Sequence, residues 1–185
     1  MNSTGSVERD ERLRLFLALR LPDDAVAALA DWQARELQGA GRIVPPEHLH
    51  VTLAFLGSRP ASELPAIAEV LGEAAAAARP FELEPERYRQ TRSVGMLVFS
   101  DESGEAGRLA VRLHERLEEL GVYRPEGRPW LPHVTVVRYR ERPRRHPQPP
   151  ELGRVAPSDA AAFLSRLHPS GASYTVLQSF EIDSA

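Results

Sequence analysis

The sequence predicts an α+β fold of two pseudo-symmetric lobes, each a small and largely antiparallel sheet backed by helices, with a cleft between the lobes. Three observations support this prediction. The triplet His-Val-Thr, followed by an aliphatic residue, begins at His50 and again at His133, once in each half of the chain. Both copies lie in short runs of β-branched and apolar residues, which favour strands. Patterns typical of helices and of strands also alternate along each half, as they do in mixed folds.

The first half opens with a polar stretch, Met1 to Glu11, for which we expect a disordered leader before a single domain over residues 12–185. Leucine at every second position from Arg12 to Arg20 predicts a strand with one face buried and the other partly buried. Two acidic residues after Pro22 predict the start of a helix that ends near Gln38.

The strand that carries the first triplet is predicted from His48 to Leu56, with Gly57 at its end. Residues 61–79 are rich in Ala, Leu and Glu and predict a second helix. Leucines three or four positions apart predict an amphipathic helix at 106–120, where His114 is expected to be solvated or to pack. Further strands are predicted at residues 81–89, 94–100 and 133–140.

The composition narrows the class of protein. At 185 residues the chain fits one domain, and its net charge of −3 does not indicate a nucleic-acid binder. All 23 basic residues are arginine, which we attribute to base composition rather than to phosphate binding. The lack of cysteine excludes disulfides, thiolate metal sites and a cysteine nucleophile. Because no apolar run has membrane-spanning length and no signal core is present, we expect a cytoplasmic protein without a membrane partner.

Each triplet places an imidazole beside a hydroxyl. Residues i and i+2 of a strand share a face, so His50 lies beside Thr52, and His133 beside Thr135. A neutral imidazole takes a proton from an attacking water, and an imidazolium gives one to a departing oxygen. Threonine hydroxyls are suited to bind phosphate oxygens. If the lobes pack about a twofold axis, these four side chains meet across one cleft and suit a phosphodiester, with no metal or other cofactor required.

The two extended motifs, His50-Val51-Thr52-Leu53 and His133-Val134-Thr135-Val136, resemble those of the RNA 2′,3′-cyclic phosphodiesterases, also called 2′-5′ RNA ligases, within the two-histidine phosphoesterases. Three further segments agree in their order: Arg14 to Leu19, Val44 to Glu47 and Ser173 to Leu177. The resemblance spans about residues 12–182. It implies the same bilobal fold that the element pattern predicts.

The resemblance also implies an activity, the hydrolysis of a 2′,3′-cyclic phosphate at an RNA end to a 2′-phosphate. His50 matches the proton donor of that reaction, His133 matches the acceptor that activates water, and Thr52 and Thr135 match the groups that bind phosphate oxygens. In reverse, with a 5′-hydroxyl in place of water, the same groups would join RNA ends by a 2′-5′ bond without ATP. We expect as partner an RNA with a cyclic phosphate end, or a small nucleotide, and we expect a monomer.

Two further residues are weaker candidates for substrate binding. Phe55 is placed like the family aromatic that stacks on a terminal base, although an ordinary core position fits equally well. Arg138 lies five residues after the second histidine, and strict alternation turns its side chain away from the cleft unless a bulge changes its direction.

Leu131 departs from the family pattern, because members of the family often carry a polar or basic residue at this position. We expect His48 to be exposed at its strand start, with an effect on the pKa of His50 as the alternative.

Two segments are ambiguous. Propensity favours a helix at residues 158–167, whereas the resemblance suggests a strand paired with residues 173–182, and we follow the resemblance. Residues 141–153 are rich in Pro and Arg and predict a loop, for which a solvated state is favoured over contact with an RNA backbone.

Three other functions stay open. The same chemistry on a small cyclic nucleotide is separable by comparing turnover of a cyclic mononucleotide and of an oligoribonucleotide with a cyclic end. A metal site built from His48, His50 and His133 predicts loss of activity in excess chelator. A noncatalytic RNA-binding module predicts RNA affinity without turnover.

Overall fold

The computed structural model of the protein describes residues 11–182. The predicted leader, apart from its last residue, lies outside the described residues. No helix in this part of the chain is both long enough and apolar enough to cross a membrane.

The described residues contain eight strands and three α-helices. The strands are β1 (Arg12–Arg20), β2 (Arg42–Ile43), β3 (His50–Pro60), β4 (Glu84–Gln90), β5 (Val94–Ser100), β6 (His133–Arg138), β7 (Asp159–His168) and β8 (Gly171–Glu181). The helices are α1 (Asp23–Glu36), α2 (Leu64–Ala76) and α3 (Glu105–Glu119). All strand pairs are antiparallel, in the order β4-β5-β6-β3-β1-β7-β8, and β2 also pairs with β6.

The sheet is nearly divided at its middle, where β3 and β6 pair only through Val51 and Val134. On one side of this junction β3 continues into β1, β7 and β8, and on the other β6 continues into β5, β4 and β2. Two antiparallel lobes therefore meet at one residue pair. The predicted α+β fold is confirmed, with the addition that the two sheets are joined.

Strand β1 is buried on both faces along its second half. Its leucines enter the main core: Leu15, Leu17 and Leu19. The opposite face forms a second, smaller cluster of Phe16, Ala18, Ala161 and Phe163. The alternation read from the sequence is confirmed, because each set of side chains finds its own apolar partners.

The helices bury the apolar stripes that the sequence predicts. Leu109, Leu113 and Leu117 of α3 are fully buried, which stabilises the fold by about 1.5–3 kcal/mol for each side chain. Leu29 and Trp32 anchor α1 in the same core. Helix α2 packs against α3 and against β7 and β8, so it backs the first lobe.

The strand of the first triplet differs from its prediction at both ends. Residues Pro46–His48 form a 3-10 turn, so the strand begins at His50 rather than at His48. It also continues through Gly57 to Pro60. Gly57 stays paired with Leu15 although its φ is 68°, because glycine adopts positive φ without a steric penalty and so bends the strand without ending it.

The ambiguous segment at 158–167 forms a strand, as the resemblance suggests. Strand β7 is paired on both sides, with β1 and with β8. Propensity is wrong here because the buried alanines at 160–162 lie in a central strand, and hydrogen bonding and packing from both neighbours outweigh a weak helix preference.

Candidate functional site

Four side chains surround the junction of the two lobes. Because Val51 lies opposite Val134 in an antiparallel pair, His50 falls beside Thr135, and Thr52 beside His133. Both valines are fully buried, which turns the histidines and threonines to the other face, where all four are partly exposed. The four predicted residues therefore meet across the junction.

His133 is held by a hydrogen bond to the backbone two residues earlier. Its Nδ1 lies 2.8 Å from the carbonyl oxygen of Leu131. A carbonyl only accepts, so Nδ1 carries the proton and Nε2 of the neutral ring keeps a lone pair. Leu131 contributes through its backbone, so the departure of its side chain from the family pattern leaves this contact intact.

His50 is enclosed by aromatic rings. The centroid of its ring lies 5.0 Å from that of Phe16, 5.8 Å from that of Phe163 and 5.7 Å from that of Tyr174. Burial above all, together with the charges of His48, Arg138 and His133, lowers the pKa of His50 to about 4, although a hydrogen bond to the backbone of His48 acts in the opposite direction. The imidazole is therefore neutral at pH 7 in the free protein.

His48 is part of the same wall of rings, and the expectation that it is exposed is wrong. Its ring centroid lies 4.2 Å from that of Tyr174, and its side chain is half-buried. Burial lowers the pKa of His48, with Glu47 opposing and two arginines adding to the shift. Because charge on His48 disfavours charge on His50, the alternative, an effect on the pKa of His50, describes its position better.

A β-bulge turns Phe55 towards the cleft. Leu17 pairs with Ala54 and Ala18 with Thr52, which leaves Leu53 as the extra residue on β3. Alternation shifts at such a bulge, so Phe55 lies opposite Phe16, on the face of His50 and Thr52. Its side chain is 67% exposed, which excludes the ordinary core position.

An equivalent bulge turns Arg138 the same way. Met96 pairs with Thr135 and Gly95 with Val137, so Val136 is the extra residue on β6. Arg138 then shares the face of Thr135 and His133, and its charge acts on the pKa of His50. Phe55 and Arg138 occupy equivalent places, each five residues after a histidine.

Each bulge is held by a polar side chain from a helix. The Nε2 atom of His114, on α3, donates to the carbonyl oxygen of Leu53 at 2.7 Å. The Nε2 atom of Gln33, on α1, donates to the carbonyl oxygen of Val136 at 2.7 Å and to that of Val44 at 3.0 Å. Sequence reasoning missed both roles, although each residue interrupts an apolar helix stripe. A polar residue in that position is a signal of a buried acceptor.

The described side chains show no group of three or more His, Asp or Glu residues that is placed to hold a metal ion. Two concavities lie away from the paired histidines. One of about 310 Å³ lies between α1 and residues 148–152, and one of about 560 Å³ lies beside α3 and Trp130. Neither is lined by the histidines or the threonines of the triplets.

The chain is similar to known proteins in sequence and in fold. The family model described as the 2′-5′ RNA ligase superfamily matches residues 21–168. A Thermus thermophilus protein named RNA 2′,3′-cyclic phosphodiesterase is 34% identical over 180 aligned positions, which cover 92% of this chain and 90% of that protein. A protein of the same name from Archaeoglobus fulgidus is 30% identical, with 91% and 100% covered. The crystal structure of Escherichia coli LigT complexed with 3′-AMP has a TM-score of 0.81 at 25% identity and covers 94% of this chain and 100% of that one.

Proposed function

This chain belongs to the 2′-5′ RNA ligase superfamily, and from that premise we propose that it hydrolyses 2′,3′-cyclic phosphate ends of RNA to 2′-phosphates. The resemblance drawn from the paired triplets is confirmed by the family match. The observation that carries the proposal is the pairing of Val51 with Val134, because it brings two imidazoles and two hydroxyls to one face.

The reaction needs one proton removed from the attacking water and one proton given to the departing 3′-oxygen. A water oxygen attacks phosphorus while His133 takes its proton at Nε2, and the bond from phosphorus to the 3′-oxygen breaks as His50 gives that oxygen a proton. Thr52 and Thr135 donate hydrogen bonds to the non-bridging oxygens. The product is a 2′-phosphate with a free 3′-hydroxyl, and the two histidines then exchange a proton with solvent. The strain of the five-membered ring assists the departure of the 3′-oxygen.

The lowered pKa of His50 bears on its role as donor. A ring that is neutral in the free protein lacks the second, acidic proton that an imidazolium gives, and burial alone favours His50 as the acceptor. The resemblance assigns it as the donor. We keep the donor assignment because the bound phosphate is an anion beside the ring, and an adjacent negative charge raises the pKa of an imidazole.

We further propose that Phe55 stacks on the terminal base and that Arg138 contacts phosphate. The exposed ring of Phe55 on the cleft face supports the first role, and stacking tolerates any base. A cyclic mononucleotide is a second candidate substrate, favoured by the complex of the related E. coli LigT with 3′-AMP.

Three finer proposals concern the reverse reaction, the oligomeric state and the location in the cell. With a 5′-hydroxyl in place of water, ring opening supplies the free energy and a 2′-5′ bond forms without ATP. We propose a monomer, because both triplets come from one chain. A cytoplasmic protein that acts as one domain over residues 12–185 fits an RNA substrate and the joined sheet.

The experiment is incubation with a defined RNA that ends in a 2′,3′-cyclic phosphate, in excess chelator, with identification of the product end. A 2′-phosphate is expected. A 3′-phosphate would overturn the donor assignment on the 3′-oxygen. RNA affinity with no turnover would instead indicate a noncatalytic RNA-binding module.

A further inference from the structure

Two arginines lie directly opposite each other beside the cleft. Arg42 of β2 pairs with Arg138 of β6 in the ladder, so their side chains share the cleft face. Like charges at opposed positions destabilise a sheet. Neither side chain forms an ion pair or donates a hydrogen bond within residues 11–182. The fold thus concentrates positive charge here without compensating it.

Other arginines in the described chain show the contrast. Several are neutralised by a nearby acid: Arg20 by Asp159, Arg59 by Glu63, Arg116 by Glu73 and Arg154 by Glu102. A chain with a net charge of −3 has acids in excess. A shortage of carboxylates therefore does not explain why these two directly opposed arginines have no acidic partner among the described residues.

Arg42 spans the gap between the lobes. It belongs to the second lobe, yet its Nη1 atom lies only 3.4 Å from where a Cβ on Gly171 would sit, in the β7–β8 turn of the first lobe. Its charge and that of Arg138 both act on the pKa of His48, whose ring lies against Tyr174. Arg138 also acts on His50. The two guanidinium groups therefore lead outwards from His50 along the edge of the cleft.

We propose that Arg42, with Arg138, forms a second phosphate site that binds the phosphate on the 5′ side of the terminal nucleoside. The inference rests on the proposed hydrolysis, because that places the cyclic phosphate at the paired histidines. The next anion along the substrate is then one nucleoside away, at the 5′ position. A guanidinium binds phosphate oxygens with two parallel hydrogen bonds, and the half-buried His48 adds a polar partner.

The same anion has two sources, the phosphodiester of an RNA chain and the 5′-phosphate of a free nucleotide. Three substrates separate them: adenosine 2′,3′-cyclic phosphate with a 5′-hydroxyl, the same nucleotide with a 5′-phosphate, and an adenosine dinucleotide with a 2′,3′-cyclic end. Only the last two offer an anion to Arg42. Only the last one has the second nucleoside.

The test is kcat/KM for these three substrates with Arg42→Ala. We expect a loss on the order of tenfold on the dinucleotide and a change below about twofold on the 5′-hydroxyl nucleotide. For the dinucleotide, the slope of log kcat/KM against log salt should become shallower by about 0.7. Arg42→Lys keeps the charge but loses the forked pair of donors, and should give an intermediate loss.

A loss on both the dinucleotide and the 5′-phosphorylated nucleotide means that the site accepts an RNA phosphodiester and a free 5′-phosphate alike. A loss on the dinucleotide alone assigns the site to RNA.

The matched control is Arg166→Ala, an exposed arginine of β7 whose position alternates with that of Phe163 and so faces away from the cleft. It should leave all three values of kcat/KM unchanged.

Equal losses on all three substrates with Arg42→Ala, or no loss on any, overturn the second phosphate site. Failure of the proposed hydrolysis is a different result, since no substrate is then turned over by the unaltered protein. In that event the affinity for the dinucleotide, measured by titration, still decides whether Arg42 binds its phosphate. The thermal unfolding midpoint of Arg42→Ala should not fall, because a like-charge contact is removed.

Discussion

The strands that carry His50 and His133 have the same backbone plan and different surroundings. In each strand a bulge follows the threonine, at Leu53 and at Val136, and a helix side chain donates to the carbonyl oxygen of the extra residue. In the first lobe, however, the histidine is enclosed by rings from β1, β7 and β8. In the second lobe, His133 has no such ring contacts within the described residues, and arginine lines the face.

Under the proposed function, this difference lets one repeated backbone plan serve two parts of one substrate. The position five residues after each histidine faces the cleft in both lobes, but it is Phe55 in the first and Arg138 in the second. An aromatic ring suits a base and a guanidinium suits a phosphate. A nucleotide has one of each, so with the proposed roles this asymmetric lining on a symmetric backbone would orient it in one direction.

Removal of either histidine should have the largest effect. His50→Ala and His133→Ala should each lower kcat roughly a thousandfold, because general acid or base catalysis contributes about 10²- to 10⁴-fold. The double variant should lose little more than either single one, since the two act in one step. Turnover of RNA with a cyclic end measures this, with circular dichroism as the control for folding. Near-normal turnover by either variant would contradict the paired roles.

The pH dependence of the residual activity should separate the two histidines. In His133→Ala, proton transfer depends on His50, whose pKa lies at about 4. A donor must be protonated, so residual kcat/KM should fall about tenfold per unit as pH rises from 5 to 7. An acceptor must be deprotonated, and the same profile would then be flat over this range. The profile of the unaltered protein does not distinguish these cases, because exchanging the two roles predicts the same curve.

The two residues that differ between the lobes should respond differently to salt. Phe55→Ala should raise KM for a nucleotide about tenfold at any ionic strength, since stacking contributes about 1–3 kcal/mol per base. Arg138→Ala should raise KM most at low salt, because its contact is ionic. Val111→Ala, which trims another exposed apolar side chain, is the control. An equal salt response of the two variants would argue against a base side and a phosphate side.

The residues that hold the bulges should matter least for chemistry and more for stability. Gln33→Ala removes two buried hydrogen bonds, to the carbonyl oxygens of Val44 and Val136, although the Val136 oxygen keeps its bond from the Val44 amide. The loss should cost about 1–3 kcal/mol of unfolding free energy. His114→Ala frees one carbonyl and should cost less. Urea unfolding measures both, against the exposed neighbours Arg35→Ala and Glu115→Ala. If Gln33→Ala proved as stable as its control, the bulge at Val136 would not depend on this side chain.

Local periodicity was sufficient for much of the fold and for the centre of the site. The alternation in β1 and the leucine spacing in α3 predict the faces that the structure buries. Since i and i+2 share a face of any regular strand, each histidine could be matched with its threonine from spacing alone. These features depend only on residues that are near each other in the chain.

Features that depend on distant partners required the tertiary structure. Whether Phe55 and Arg138 face the cleft is decided by bulges, and a bulge exists only relative to the strand across from it. Strand β7 has helix-favouring alanines and is extended because β1 and β8 pair with both of its edges.

The pKa of His50 also depends on distant partners, because the rings that bury it come from three strands far apart in sequence. The sequence by itself therefore determined which groups are the candidates for the chemistry and which of them are neighbours along a strand. Only the tertiary structure decided their charge state and the direction of the residues beyond the bulges, since desolvation and register are properties of the assembled sheet.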